Sequence, residues 1–314
     1  MNVKLRGTLC GVGAAVFYGT NPLGAMNLYH DGISANSTLF YRFGLAIVML
    51  GVMMLVQRKK FGVTRSELML LAMLGVFMGS SSSSLFISFN YMDVGIASTL
   101  LFVYPVMVAV IMALLFKEKV TPATVISIAL ALGGIALLNQ TSDGSTLSTL
   151  GVLLVMVSSL TYALYIIIVN KSPLRMSSVK MTMYVLTFAV AVAVAMSFTD
   201  PANHLQLLHT PRQWGLALLL AVVPTVLSLL LMVIAVHDVG STPTAIMGAL
   251  EPVTAVVISV ALFGELVTAR LVIGIVLILA AVLLTVVGKN IHFNSITRVV
   301  SPVGHVLVKL WRWK

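Results

Sequence analysis

Apolar residues run in long blocks along this chain, separated by short polar or glycine-containing breaks. The blocks fall near residues 8–26, 34–56, 67–91, 95–116, 122–139, 148–169, 179–198, 213–236, 240–263 and 268–288. Each is close to the ~20 apolar residues that one membrane crossing requires. Within a block such as Leu216 to Ala235 the apolar residues follow one another without alternation, which excludes the two-residue period of a membrane barrel strand. A backbone in lipid must satisfy its own N–H and C=O groups, so each block predicts a helix. The first apolar run, from Leu9, continues past the length of a signal core, and no small-x-small cleavage site precedes the next polar stretch. It therefore reads as a retained crossing. The pattern predicts an all-α, polytopic membrane protein with ten transmembrane helices.

Composition narrows the function classes. Of the 314 residues, 59% are hydrophobic and 9% charged, whereas a soluble domain carries roughly 25% charged residues. A cytoplasmic globular enzyme is excluded on that ground, and disorder is excluded by the apolar excess. The net charge of +10 would suggest nucleic acid in a soluble protein. With the N-terminus placed inside, however, all but three of the 19 Lys and Arg residues fall on the cytoplasmic side, as basic residues do in membrane proteins. The exceptions are Arg212 and Arg270 on the outer side and Arg42 within a crossing. Topology thus accounts for the charge, puts both termini in the cytoplasm, and leaves no support for a nucleic-acid partner. Cys10 is the single cysteine, and no zinc-ligand spacing, phosphate loop, His-Glu-x-x-His helix or Gly-x-Ser-x-Gly motif occurs. No metal, cofactor or ATP hydrolysis is expected, and an intramembrane enzyme is the weaker class.

The chain also repeats itself. Tyr104 to Leu138 can be laid on Glu251 to Thr285 without a gap, matching Pro105 with Pro252 and Glu118 with Glu265. Asp93-Val94-Gly95 matches Asp238-Val239-Gly240, and Tyr18-Gly19 matches Tyr162-Ala163. Residues 1–140 and 146–288 then form two five-helix repeats, followed by a basic cytoplasmic tail, 289–314. The tail reads either as a short helix lying on the inner leaflet or as a disordered segment. Five crossings per repeat make the two repeats enter the bilayer in opposite senses, the inverted arrangement of secondary transporters.

Several of these residues carry a resemblance. Phe-Tyr-Gly-Thr-Asn-Pro (17–22), Tyr-Arg-Phe (41–43), Asp-Val-Gly-Ile-Ala-Ser (93–98), Leu-Glu-Pro-Val (250–253) and Phe-Gly-Glu-Leu-Val-Thr (263–268) resemble the EamA family of the drug/metabolite transporter superfamily, over about residues 5–288. The resemblance implies ten helices in two inverted halves, a bacterial inner-membrane location and, in many members, export of amino acids or other metabolites. Tyr18 stands where tryptophan is usual, Lys117 where glycine usually precedes the glutamate, and the tail is additional. The family is broad in substrate, so a multidrug exporter of lipophilic compounds is the alternative, with a non-transporting sensor behind it.

Arg42 and Glu251 are the two ionisable residues well inside a crossing, where a charge costs at least ~2.5–3.5 kcal/mol on insertion scales. Either they line a wet cavity, with Arg42 holding a substrate carboxylate or phosphate and Glu251 an amine or coupling proton, or they pair and pin the helices. Thr244, Gly248, Glu251 and Ala255 form a small or polar stripe at helical spacing. Five successive serines, Ser80 to Ser84, point all round their helix; Ser84 and Ser88, with Asn90 beyond, are the cavity candidates. Tyr18 and Asn21 share a face, Tyr162 and Tyr165 occupy the matching place in the second repeat, and Tyr104 matches Glu251. Pro105, Pro224 and Pro252 are hinges or kinks. The expected partners are a small-molecule substrate, protons as coupling ion and membrane lipids; the oligomeric state is not legible.

Overall fold

The computed structural model describes residues 2–116, 122–138, 148–172, 174, 176–198, 204–239, 244 and 247–288. Lys117, Glu118, Lys119, Gly240 and the basic tail lie outside the described residues. Among those described, every regular element is a helix. They are α1 (Val3–Tyr18), α2 (Asn21–His30), α3 (Ala35–Val56), α4 (Arg65–Ser88), α5 (Val94–Leu101), α6 (Tyr104–Phe116) and α7 (Pro122–Leu138). Then follow α8 (Thr149–Lys171), α9 (Ser178–Ser197), α10 (Pro211–Ala221), a π-helical turn (Val222–Leu227), α11 (Ser228–Val239), α12 (Leu250–Phe263) and α13 (Ala269–Gly288).

Helix α3 shows why these elements belong in lipid. Its 22 residues rise about 33 Å, which matches the ~30 Å hydrocarbon core. Leu39, Phe43, Ala46, Leu50 and Met54 are buried on one face, while Val48, Val52, Leu55 and Val56 are more than half exposed on the other. Both faces are apolar, so the helix is stable only where its outer face meets lipid tails. Six spans in the described residues are long and apolar enough to cross a membrane, and shorter apolar helices cover Val125–Leu138, Leu250–Phe263 and Ala269–Leu284. The protein is a polytopic helical membrane protein.

Four predicted crossings are interrupted rather than continuous. The first breaks at Gly19–Thr20 between α1 and α2, the fourth at Phe102–Val103 between α5 and α6, and the eighth carries the π-helical turn. In the ninth, α12 begins only at Leu250, after a turn. Each interruption lies beside a proline: Pro22, Pro105, Pro224 and Pro252. Proline has no N–H to give and clashes with the carbonyl four residues back. Interrupted backbone at membrane depth persists where protein or a wet cavity receives its free polar groups.

Two helix seams are built alike. Helix α1 packs on α11, and α8 packs on α4. A Cβ on Gly7 would lie 2.6 Å from Asp238 Cβ of α11, and one on Gly151 would lie 2.8 Å from Met92 Cε just past the end of α4, so a glycine allows close approach at one end of each seam. Higher up, Ser228 Oγ donates to the Ala14 carbonyl at 2.9 Å, and Ser81 Oγ donates to the Ser158 carbonyl at 3.0 Å. Gly7 and Gly151, Ala14 and Ser158, and Tyr18 and Tyr162 are each 144 residues apart. The contacts therefore repeat in step with the sequence.

Candidate functional site

The interruptions converge. Tyr18 and Asn21 flank the first break, Leu101 and Tyr104 flank the second, and Glu251 lies in the first turn of α12. All five line one central cavity, together with Arg42 of α3, Tyr162 of α8, and Met78, Ser81, Ser82, Leu85 and Phe86 of α4. It is narrow, with about 20 Å³ of room for the centre of a water-sized molecule. Close packing sets the floor beneath it: a Cβ on Gly19 would sit 2.6 Å from the Glu251 carbonyl oxygen, so a glycine there lets the end of α1 rest directly on the start of α12.

Two ionisable side chains share the wall without forming an ion pair. Arg42 is 3% exposed, and its Nε donates to Thr225 Oγ1 at 2.9 Å. Its guanidinium carbon lies 5.3 Å from the Phe43 ring centroid, 5.4 Å from Phe86 and 6.0 Å from Tyr18, within the range at which aromatic faces attract a cation. Glu251 lines the same cavity, yet the two form no ion pair. Asn21 Nδ2 donates to the Tyr18 carbonyl at 2.8 Å, and its buried Oδ1 has no protein partner. Tyr104 meets Tyr162 edge-on at 4.6 Å between ring centroids, and Tyr165 stacks behind Tyr162 at 5.7 Å. A buried guanidinium, a carboxyl and an open amide acceptor, backed by aromatic rings, are suited to a small polar ligand with an apolar part.

Comparison with known proteins bears on this arrangement. The model of the EamA-like transporter family matches residues 5–140 and again 149–287. The chain belongs to the EamA-like transporter family. It is 28% identical over 121 residues to an uncharacterized transporter, YvbV, of Bacillus subtilis (strain 168); that match covers 38% of the chain and 40% of the relative. The chain thus aligns with about two-fifths of that relative's length. A solved crystal structure shares the fold at a TM-score of 0.60 and 16% identity, covering 88% of this chain and 95% of the other.

Within this EamA-like framework, six residues singled out from sequence come together on the cavity wall: Tyr18, Asn21, Arg42, Tyr104, Tyr162 and Glu251. Tyr165 stands one ring back. The serine run turns a different face to the cavity from the one expected: Ser81 and Ser82 line it, whereas Ser84 and Ser88 are buried off the wall and Asn90 is exposed. Ser88 Oγ is held by the Leu85 carbonyl at 2.6 Å. Met78, Leu85 and Phe86 lay outside the sequence reading, although Met78, Ser81, Ser82 and Leu85 follow the i, i+3, i+4, i+7 spacing of one helix face. Of the polar stripe on the ninth crossing, Glu251 reaches the cavity, while Thr244 and Ala255 are buried elsewhere. Thr225, the partner of Arg42, was also missed.

Beyond the far end of α12, Glu265 ties the two repeats together. Its carboxylate accepts the Val94 N–H at 2.7 Å and the Gly95 N–H at 3.2 Å, capping α5 where Asp93 itself makes no side-chain cap. Burial and the negative charge of Asp93 push this carboxyl up to about 7, against the pull of the two N–H groups. At the end of α11, Arg6 grips Asp238 with two bonds, 2.7 and 2.9 Å long.

Proposed function

We propose that this protein is a secondary transporter that exports small metabolites, amino acids foremost, across the bacterial inner membrane. The observation that carries this reading is the unpaired Arg42 and Glu251 on one buried wall where interrupted crossings meet. Such a site lets a zwitterion exchange its hydration for a fixed cation and anion, and neither charge would be kept in lipid without a use. The two repeats insert in opposite senses with both termini in the cytoplasm, and they rock around the central site to give alternating access. A proton or solute gradient supplies the energy, and no covalent chemistry is assigned. A second reading, export of lipophilic compounds, draws support from Met78, Leu85, Phe86 and Leu101 on the same wall, since flexible and aromatic side chains accept varied ligands.

Purified protein in proteoliposomes, given a panel of radiolabelled amino acids and lipophilic cations with and without an imposed pH gradient, tests both. Saturable amino-acid flux supports the first reading, and flux of lipophilic cations alone supports the second. Absence of flux for every compound overturns transport.

A further inference from the structure

The eighth crossing contains one residue more than its counterpart in the first repeat, and the extra residue sits at the level of the cavity. Helices α4 and α10 begin with the same device: Thr64 with Glu67 and Thr210 with Gln213 each form a capping box. These pairs are 146 residues apart. Further along the same helices, the seam serines Ser81 and Ser228 are 147 apart. Between the two landmarks α4 runs as unbroken α-helix, whereas α10 passes through the π-helical turn Val222–Leu227. A π-turn closes its hydrogen bonds over five residues instead of four, which takes up one additional residue without shifting the seam.

That turn does chemistry that α4 does not. Pro224 cannot donate to the Leu220 carbonyl four residues back. Thr225 Oγ1 donates to that carbonyl instead, at 2.9 Å. A hydroxyl has one proton and two lone pairs, so with its proton committed to Leu220, Thr225 Oγ1 can only accept. It accepts from Arg42 Nε at 2.9 Å. The bond fixes the guanidinium by its inner edge while Phe43 and Phe86 lie against it. Arg42 belongs to α3 and has no partner of like charge in the second repeat, where Leu186 and Ala189 fall at the corresponding offsets.

We infer that Thr225, held as a pure acceptor by Pro224 and the Leu220 carbonyl, is a positioning residue that aims Arg42 at the anionic group of the transported molecule. The inference rests on the proposed function for the role of Arg42 but not for its geometry. It assigns the π-turn a task in binding, and it makes specificity for anionic groups depend on a residue that need not touch the ligand. It also accounts for the lack of twofold likeness at the centre of an otherwise repeated scaffold.

Two measurements test it. The first needs no ligand: the Arg42 Nε–H signal of ¹⁵N-arginine-labelled protein in detergent micelles, assigned by its loss in Arg42→Ala. The expected result is an exchange-protected resonance in wild type and in Thr225→Ser, and loss of that protection in the isosteric Thr225→Val. Protection that survives in Thr225→Val overturns the inference whatever the protein transports. The second uses whichever labelled amino acid the wild type carries, since its carboxylate is the group Arg42 would meet; a wild type that carries lipophilic cations alone overturns the assignment. Thr225→Val should raise the half-saturating concentration about tenfold, as loss of a hydrogen bond to a charged group does, with maximal flux within about twofold and near-wild-type behaviour in Thr225→Ser. In an Arg42→Ala background, Thr225→Val should add nothing further, because the effect runs through one contact. An equal loss in both backgrounds, or a fall in maximal flux alone, assigns Thr225 to helix structure and overturns the proposal. A wild type without flux defeats the transporter reading and leaves the spectroscopic result to decide this one.

Discussion

Helices α4 and α10–α11 occupy equivalent places in the two repeats, and the way they differ separates scaffold from site. Both start on a threonine capping box, both present a serine to a neighbouring helix, and both close on a glycine near one end. One is continuous and lends small and apolar side chains to the cavity wall. Its counterpart is broken by a π-turn whose threonine holds a buried arginine. The lesson is that duplication supplied packing, and departures from duplication supplied chemistry. Glu251 makes the same point, since it stands where the first repeat has Tyr104, and both reach the cavity. At matching places one helix therefore brings a carboxyl to the cavity and the other a phenol.

The largest expected effect comes from removing that charge difference. Glu251→Gln keeps size and hydrogen-bonding capacity but cannot ionise, so flux should fall about thirtyfold or more, in line with losing a desolvated charge contact to the ligand. Tyr104→Phe, at the matching position, should change flux only a few fold. Both variants should reach the membrane in wild-type amounts. Equal effects at the two positions would show that the asymmetry of charge has no functional weight.

A smaller effect is expected from making the second helix resemble the first. Pro224→Ala restores an N–H able to reach the Leu220 carbonyl, which competes with the Thr225 hydroxyl and frees it to rotate. The half-saturating concentration should rise about threefold, less than for outright loss of the acceptor. Thermal stability in detergent should hold or increase, because proline in a helix interior is costly. A drop in stability with unchanged affinity would place the role of Pro224 in the fold instead.

Much of this architecture was legible in the sequence, and the failures have physical causes. The apolar blocks follow from the cost of exposing backbone to lipid, which acts on every residue of a crossing alike. Arg42 and Glu251 stood out because charge in lipid is costly too. The phase of the serine run did not, because five small polar residues in a row leave a helix without an amphipathic direction. Seating of Ser81 against Ser158 decides it, and that is a tertiary contact. Thr225 was invisible because threonine in a transmembrane helix ordinarily bonds back to its own chain. It does so here, to Leu220, and only the geometry reveals that its oxygen also serves Arg42. The one-residue difference between the two helices could have been found by aligning Thr64 with Thr210 and Ser81 with Ser228.

The seam serines supply a control, since they lie on the shared part of the comparison. Ser228→Ala removes one hydrogen bond to the Ala14 carbonyl and should cost about 1 kcal/mol in stability. Ser81→Ala removes the bond to the Ser158 carbonyl and leaves Ser158 Oγ donating to the backbone carbonyl of residue 81, so a similar cost of about 1 kcal/mol is expected. Denaturation in detergent would read both. A far larger loss at Ser228 would mean that the seam beside the π-turn is not equivalent to its partner.

The smallest expected effect concerns Glu265, which joins the repeats outside the crossings. Its carboxyl is raised from 4.5 to about 7 by burial and by Asp93, the charged neighbour that acts on it. A group whose pKa is higher in the folded protein than in the unfolded chain holds its proton more tightly when folded, so stability falls as pH rises between the two values. The contribution from Glu265 should therefore be fully present below about pH 4.5 and decline towards pH 7, with no further change above it. Glu265→Gln cannot titrate, and its unfolding temperature should follow a flatter course than wild type across that window. The carboxyl is partly exposed, so solvent and salt soften the difference to a small shift. Should both proteins lose stability in parallel from pH 4.5 to 7, the desolvated carboxyl is not what titrates, and the cap on α5 is held as an ordinary carboxylate by its two N–H donors.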